Sequence, residues 1–151
     1  MNYIDLFAGA GGLSEGFKKV GFNPIVHIEM DKNSCSTLKT RAAFHYLKET
    51  NNLKVYNNYL QQKISAEKLY SYIPDSILDS ILHVEISNDN INLIFSKIDE
   101  LRGGKKINCI LGGPPCQVYS NIGRSRIGRD NVNKDVRYFL YQQYKAFNHD
   151  L

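Results

Sequence analysis

The chain has 151 residues, 42% hydrophobic and 23% charged, which is enough for one domain with its own core and ordinary for a water-soluble protein. Its formal net charge of +4 suits a polyanionic partner without requiring one, and three cysteines without paired spacing argue against a disulfide framework. No apolar run approaches the roughly 18 residues of a membrane span, and the N-terminus lacks the basic start of a signal peptide, so a soluble cytoplasmic protein with reduced thiols and no membrane partner is expected.

Tyr3 to Phe7 reads as a first strand, and Ala8-Gly9-Ala10-Gly11-Gly12 as the tight turn after it. Leu13, Phe17 and Val20 then recur at helical spacing. Strand, glycine turn and helix open a nucleotide-binding βαβ unit, because glycines admit a ligand close to the backbone and a helix N-terminus attracts an anionic group. Such a turn is also found as a mere tight corner. No Gly-Lys-Ser/Thr ending is present, so a phosphate-cradling P-loop is excluded. The dinucleotide pattern G-x-G-x-x-G fails too, since its third glycine falls on Ser14.

Phe22 to Ile28 is a second strand, broken early by Pro24 and followed by Glu29-Met30-Asp31. An acidic residue about 20 positions after the first glycine is where this architecture holds ribose hydroxyls, which favours Glu29. Asp31 has a sufficient role as N-cap of the next helix, and Met30 either lies against an adenine face or fills the core. A glycine turn and an acidic strand end without the pyrophosphate pattern suggest an adenosyl ligand lacking a diphosphate, as in S-adenosyl-L-methionine. Asn33 to about Lys48 reads as one helix with Cys35, Leu38, Ala42 and Leu47 on its apolar side. Residues 49–82 are too long for a simple connection and read as an inserted helical layer, with a short helix opening at Ser65-Ala66-Glu67. Its tyrosines and lysines either touch nucleic acid or pack amphipathic helices. Ile81 to Ile86 is a candidate third strand whose end should reach the adenine, through Glu85 or Asp89. Ile91 to Leu101 shows a clean helical face, closed by Gly103-Gly104.

Ile107 to Leu111 is a short apolar strand that stops at Gly112-Gly113 and runs into Pro114-Pro115-Cys116-Gln117. The prolines fix φ and remove two amide donors, so the Cys116 thiol follows a stiffened loop at a strand's carboxyl end, where open α/β sheets bind ligands. Cys35 and Cys109 have the surroundings of plain structural cysteines. No metal site is expected.

Asp5-Leu6-Phe7-Ala8-Gly9-Ala10-Gly11-Gly12, then Glu29-Met30-Asp31, then Gly113-Pro114-Pro115-Cys116-Gln117 together resemble the DNA cytosine-5 methyltransferase family. Asp135-Val136-Arg137 with Leu140-Tyr141 is similar to a further segment of that family. The resemblance implies an α/β, Rossmann-like, S-adenosylmethionine-dependent methyltransferase fold, here incomplete, with the first four strands plus the insert in one unit over residues 1–151. It implies Cys116 as the nucleophile that attacks C6 of a cytosine turned out of duplex DNA. Phe7, Ala8, Gly9, Gly11 and Gly12 match the cofactor loop, Glu29 the ribose carboxylate and Met30 the adenine-stacking position, while Pro115 and Leu140 line the cofactor. Gln117 and Ser120 match a loop that closes over DNA, and Arg124, Arg126 and Arg129 are expected at phosphates.

The family's Glu-Asn-Val element, its Arg-x-Arg element and its target-recognition region have no counterpart in these residues. The expectation is therefore a truncated or split N-terminal part of an enzyme of a bacterial restriction-modification system, with little activity alone and an exposed edge on the strand at Ile107 to Leu111. A second polypeptide would then supply the missing half. Two other readings stay open: a tRNA cytosine-5 methyltransferase, and a non-catalytic remnant that binds S-adenosylmethionine or DNA.

Overall fold

The computed structural model describes residues 1–113 and Phe147. Four parallel strands form one sheet in the order β3-β2-β1-β4: β1 Asn2–Leu6, β2 Asn23–Glu29, β3 Ile81–His83 and β4 Cys109–Gly112. The chain winds outward from β1 to β3 and then crosses back to place β4 on the other side of β1. In open α/β sheets ligands bind at such a reversal, which here falls between the carboxyl ends of β1 and β4. Among the described residues β4 has one strand neighbour, so its second side is an edge.

Strand alternation sorts the two faces. Ile4, Leu6, Val26 and Ile28 point to one side and pack with Ile94 and Ile98 of α6 (Ile91–Arg102) and with Phe147. Phe147 is fully buried, its ring centroid 4.9 Å from that of Phe95. Tyr3, Asp5 and His27 point to the other side, under α1 (Gly12–Lys19). The second helix, α2 (Lys32–Glu49), lies on this side too, burying Cys35 and Leu38 against Ile81. Its N-cap is Asp31, whose side chain accepts from the Ser34 amide at 2.7 Å, as the sequence predicts. Pro24 sits opposite Tyr3, and the β1–β2 register slips between Tyr3 and Ile4, so Ile25 bulges out of the ladder and joins the α6 core.

Between α2 and β3 the chain forms three short helices, α3 (Leu53–Leu60), α4 (Ala66–Tyr70) and α5 (Asp75–Leu78). Ser65 caps α4 by accepting from the Lys68 amide at 3.2 Å. Tyr46, Tyr56, Tyr59 and Tyr70 pack around a buried set of Ala43, Leu47, Leu69 and Ile73. Tyr56, Tyr59 and Tyr70 of the insert thus have a packing role.

Three expectations need correction. The apolar stripe read for α1 is only partly its buried side: Phe17 packs on Tyr3 with ring centroids 5.9 Å apart, but Leu13 is 54% and Val20 is 73% exposed while Ser14 is buried. The polar core beneath α1 takes a hydroxyl there in place of a hydrocarbon. The third strand stops at His83 and does not run to Ile86, because its partner β2 ends at Glu29, opposite His83. Phe7 is not a strand residue: its φ of 56° already belongs to the turn. Cys35 is buried as expected, whereas Cys109 is only partly so.

Candidate functional site

The carboxyl ends of β1, β2 and β3 deliver three short turns to one rim. After β1, Phe7, Gly9 and Gly11 all have left-handed φ, of 56°, 54° and 79°. Two of these positions are glycines, which adopt that region without strain. The turn is held by Ala8 donating to the Ile28 carbonyl at 3.1 Å and Gly11 donating to the Ala8 carbonyl at 3.0 Å. Gly11 is the residue before α1, and no side chain caps the helix. Among the described residues the amides of the first helical turn thus have no side-chain acceptor, which is the arrangement that receives an anionic group.

Glu29 ends β2 and bonds to both neighbouring turns. Its Oε2 accepts from the Gly9 amide at 2.7 Å and its Oε1 from the Asp31 amide at 2.8 Å. Each oxygen keeps a further lone pair for a ligand hydroxyl. Met30 follows and is 62% exposed, so it is no core filler. Glu85 and Asp89 are both exposed beyond β3, and nothing in their positions chooses between them. Phe7, Ala8, Gly9, Gly11, Gly12, Glu29 and Met30 are thereby gathered at one rim. Pro115, Cys116, Gln117, Ser120, Arg124, Arg126, Arg129 and Leu140 lie outside the described residues.

The rim rests on a buried polar group that the sequence reading missed. Ser14 donates its hydroxyl to Asp5 Oδ2, and with that proton committed, its oxygen accepts from His27 Nε2 at 3.0 Å. His27 is therefore the tautomer with a bare Nδ1, and among the described residues no group pairs with that atom. Burial, with Lys18 nearby, pushes the imidazole down to about 4, so it is neutral at pH 7. Burial raises the Asp5 carboxyl above its usual range, while the Ser14 hydrogen bond pulls the other way. The tyrosine hydroxyl of Tyr3, raised by burial, donates to the Ser14 carbonyl at 3.4 Å. These bonds pin the first turn of α1 to β1 and β2 directly behind the glycine turn.

A second pair was also missed. His83, the last residue of β3, stands opposite Glu29 in the ladder and donates from Nε2 to the Met30 carbonyl at 3.0 Å. On β4, Gly112 faces Leu6, and a Cβ at Gly112 would stand 1.8 Å from the Leu6 carbonyl oxygen. With a φ of 115° as well, this position admits glycine alone. The chain leaves the sheet here, four positions before Cys116.

Comparison with known proteins finds relatives of this sequence. The model of the family described as C-5 cytosine-specific DNA methylase matches residues 1–69. The type II methyltransferase M.Bpa9945I of Bacillus paralicheniformis is 37% identical over 96% of this chain and 37% of its own length. The type II methyltransferase M1.HphI of Haemophilus parahaemolyticus is 26% identical over 95% of this chain and 28% of its own. The chain thus spans about a third of the length of these relatives. No solved structure matches it.

Proposed function

We propose that this chain, whose residues 1–69 match the C-5 cytosine-specific DNA methylase family, belongs to that family and carries the cofactor half-site and the nucleophile of an enzyme that methylates C5 of cytosine in duplex DNA. The observation that carries this reading is the Glu29 carboxylate spanning the Gly9 and Asp31 amides at the rim of the sheet. S-adenosyl-L-methionine fits the residues there: Glu29 for the ribose hydroxyls, exposed Met30 for the flat purine, the uncapped start of α1 for the amino-acid carboxylate. Phe7, Ala8, Gly11 and Gly12 would let it approach the backbone, and Pro115 and Leu140 would close its far side.

Bound there, the cofactor supplies an electrophilic methyl group on a sulfonium. Cys116 as thiolate attacks C6 of the flipped cytosine, forming the C6–S bond and making C5 electron-rich. After C5 is methylated, loss of its proton and elimination of the Cys116 thiolate restore the ring. Gln117, Ser120, Arg124 and Arg126 would contact the DNA, the arginines at phosphates. Proton assistance at the base and sequence readout come from residues beyond these, whether on the same polypeptide or a second one. The relatives' names, type II methyltransferases, support a place in a restriction-modification system.

The test is covalent trapping on duplex DNA with 5-fluorocytosine in place of cytosine, with S-adenosylmethionine present and Cys116→Ser as control. Fluorine at C5 prevents the final elimination, so a competent cysteine stays bonded to the base. An adduct that needs Cys116 and appears when the remaining region of the enzyme is added supports the reading. Adducts on tRNA and not on DNA would reassign the substrate, and no adduct with a matched target would leave only binding.

A further inference from the structure

The exposed Met30 is tethered on both sides, and one tether comes from a residue with no assigned role. Asp31 donates its amide to Glu29 Oε1 at 2.8 Å, fixing the chain after Met30. Before it, the Glu29 carbonyl accepts from the Val84 amide at 3.0 Å and from Cys35 Sγ at 3.4 Å. His83 then takes the carbonyl of Met30 itself, at 3.0 Å, from a strand 53 residues away in sequence. The backbone ladder already joins β2 to β3 up to Glu29 and His83, so this bond is not needed to close the sheet. It orients the one peptide that carries a 62% exposed, unbranched apolar side chain at the rim. An unbranched thioether is flexible by itself, and holding its backbone removes part of that freedom before a ligand arrives.

We propose that His83 is a positioning residue for the adenosyl half of the cofactor, acting through Met30. Its Nε2–H fixes the Met30 peptide so that the thioether forms a preset platform for the purine ring. This rests on the cofactor reading above. The ligand half concerned is the nucleoside, since the amino-acid half would lie at the start of α1 on the far side of Glu29.

Calorimetric titration of the 151-residue chain with S-adenosylmethionine and with 5′-methylthioadenosine, which lacks the amino-acid half, tests it. His83→Ala should weaken both ligands by the same factor, about three- to tenfold for one solvent-accessible hydrogen bond. His83→Gln, which keeps a donor, should recover most of that loss. On a Met30→Ala background, His83→Ala should cost little more, because its effect passes through Met30. Unchanged affinity in His83→Ala, or full additivity with Met30→Ala, would overturn the proposal while leaving the cofactor reading intact. A wild-type chain that binds neither ligand would overturn both.

Discussion

Glu29 accepts the Gly9 amide across 20 residues of sequence, at 2.7 Å, and so makes the glycine turn and the end of β2 one unit. The relationship constrains chemistry as well as shape. Both carboxylate oxygens face N–H donors, Gly9 at one and Asp31 at the other. A group with one oxygen and one amino nitrogen cannot satisfy both.

Glu29→Gln is accordingly not a conservative change. The new amide would turn its NH2 on one of the two backbone donors, losing a partly solvent-accessible hydrogen bond at a cost of about 0.5–1.5 kcal/mol. Urea unfolding should show a midpoint clearly below wild type, and cofactor affinity should fall with it. A Glu29→Gln chain as stable as wild type would mean that these bonds contribute nothing in solution.

Gly112 gives a sharper steric prediction. A side chain there would collide with the Leu6 carbonyl at 1.8 Å, whereas a Cβ at Gly113 meets nothing within 4 Å. Gly112→Ala should lose more than about 2 kcal/mol of stability, because β4 must shift off β1 to admit it. Gly113→Ala should stay within about 1 kcal/mol of wild type. Thermal melts of the two variants side by side decide it: equal midpoints would contradict the close approach of β1 and β4.

How far the sequence disclosed all this depends on the kind of signal. The strand–turn–helix opening, the Asp31 cap and the α6 face were legible because each is a local pattern of spacing or capping. The buried side of α1 was not, since periodicity follows hydrocarbon and Ser14 enters the core as a hydroxyl bonded to Asp5 and His27. Leu13 and Val20 therefore misled. The His83–Met30 bond was equally illegible, because it depends on the register that sets His83 opposite Glu29. Glu29 itself was found for its expected ligand, but not for its bond to Gly9, which exists only once β1 and β2 lie side by side. Of the candidate site, the part before Gly113 is gathered at one rim, and the part from Pro115 onward lies outside the described residues.

Thiol chemistry should separate the cysteines. Cys35 is 4% exposed, and burial, with the Glu29 charge nearby, pushes its thiol above the ordinary range. Thiolate is the reactive form, so Cys35 should resist iodoacetamide under native conditions and label fully in urea. Mass spectrometry of peptides after pulsed alkylation measures this. Fast native labelling of Cys35 would show that α2 leaves the sheet far more readily than its packing against Ile81 implies.

The acid response of the fold should come from His27. Its folded value is about 4 against 6.5 when unfolded, so between those values the unfolded chain binds the extra proton. Stability from this residue is complete above about pH 6.5 and is lost as pH falls from there through 4. The full effect is about 3 kcal/mol as an upper bound. Asp5 acts in the opposite sense: its raised carboxyl takes a proton more easily when folded, so its contribution improves as pH falls. Glu15 is held low chiefly by the hydrogen bond from His45 at 3.0 Å, and its contribution is lost only at more acid pH. His27→Gln keeps a donor for Ser14 and removes only the titration. Urea unfolding at pH 7, 6 and 5 should therefore show the wild type losing stability faster than His27→Gln as pH falls. Parallel losses would mean that the imidazole is hydrated or already charged in the native state, and that the Asp5–Ser14–His27 group is not the buried cluster described above.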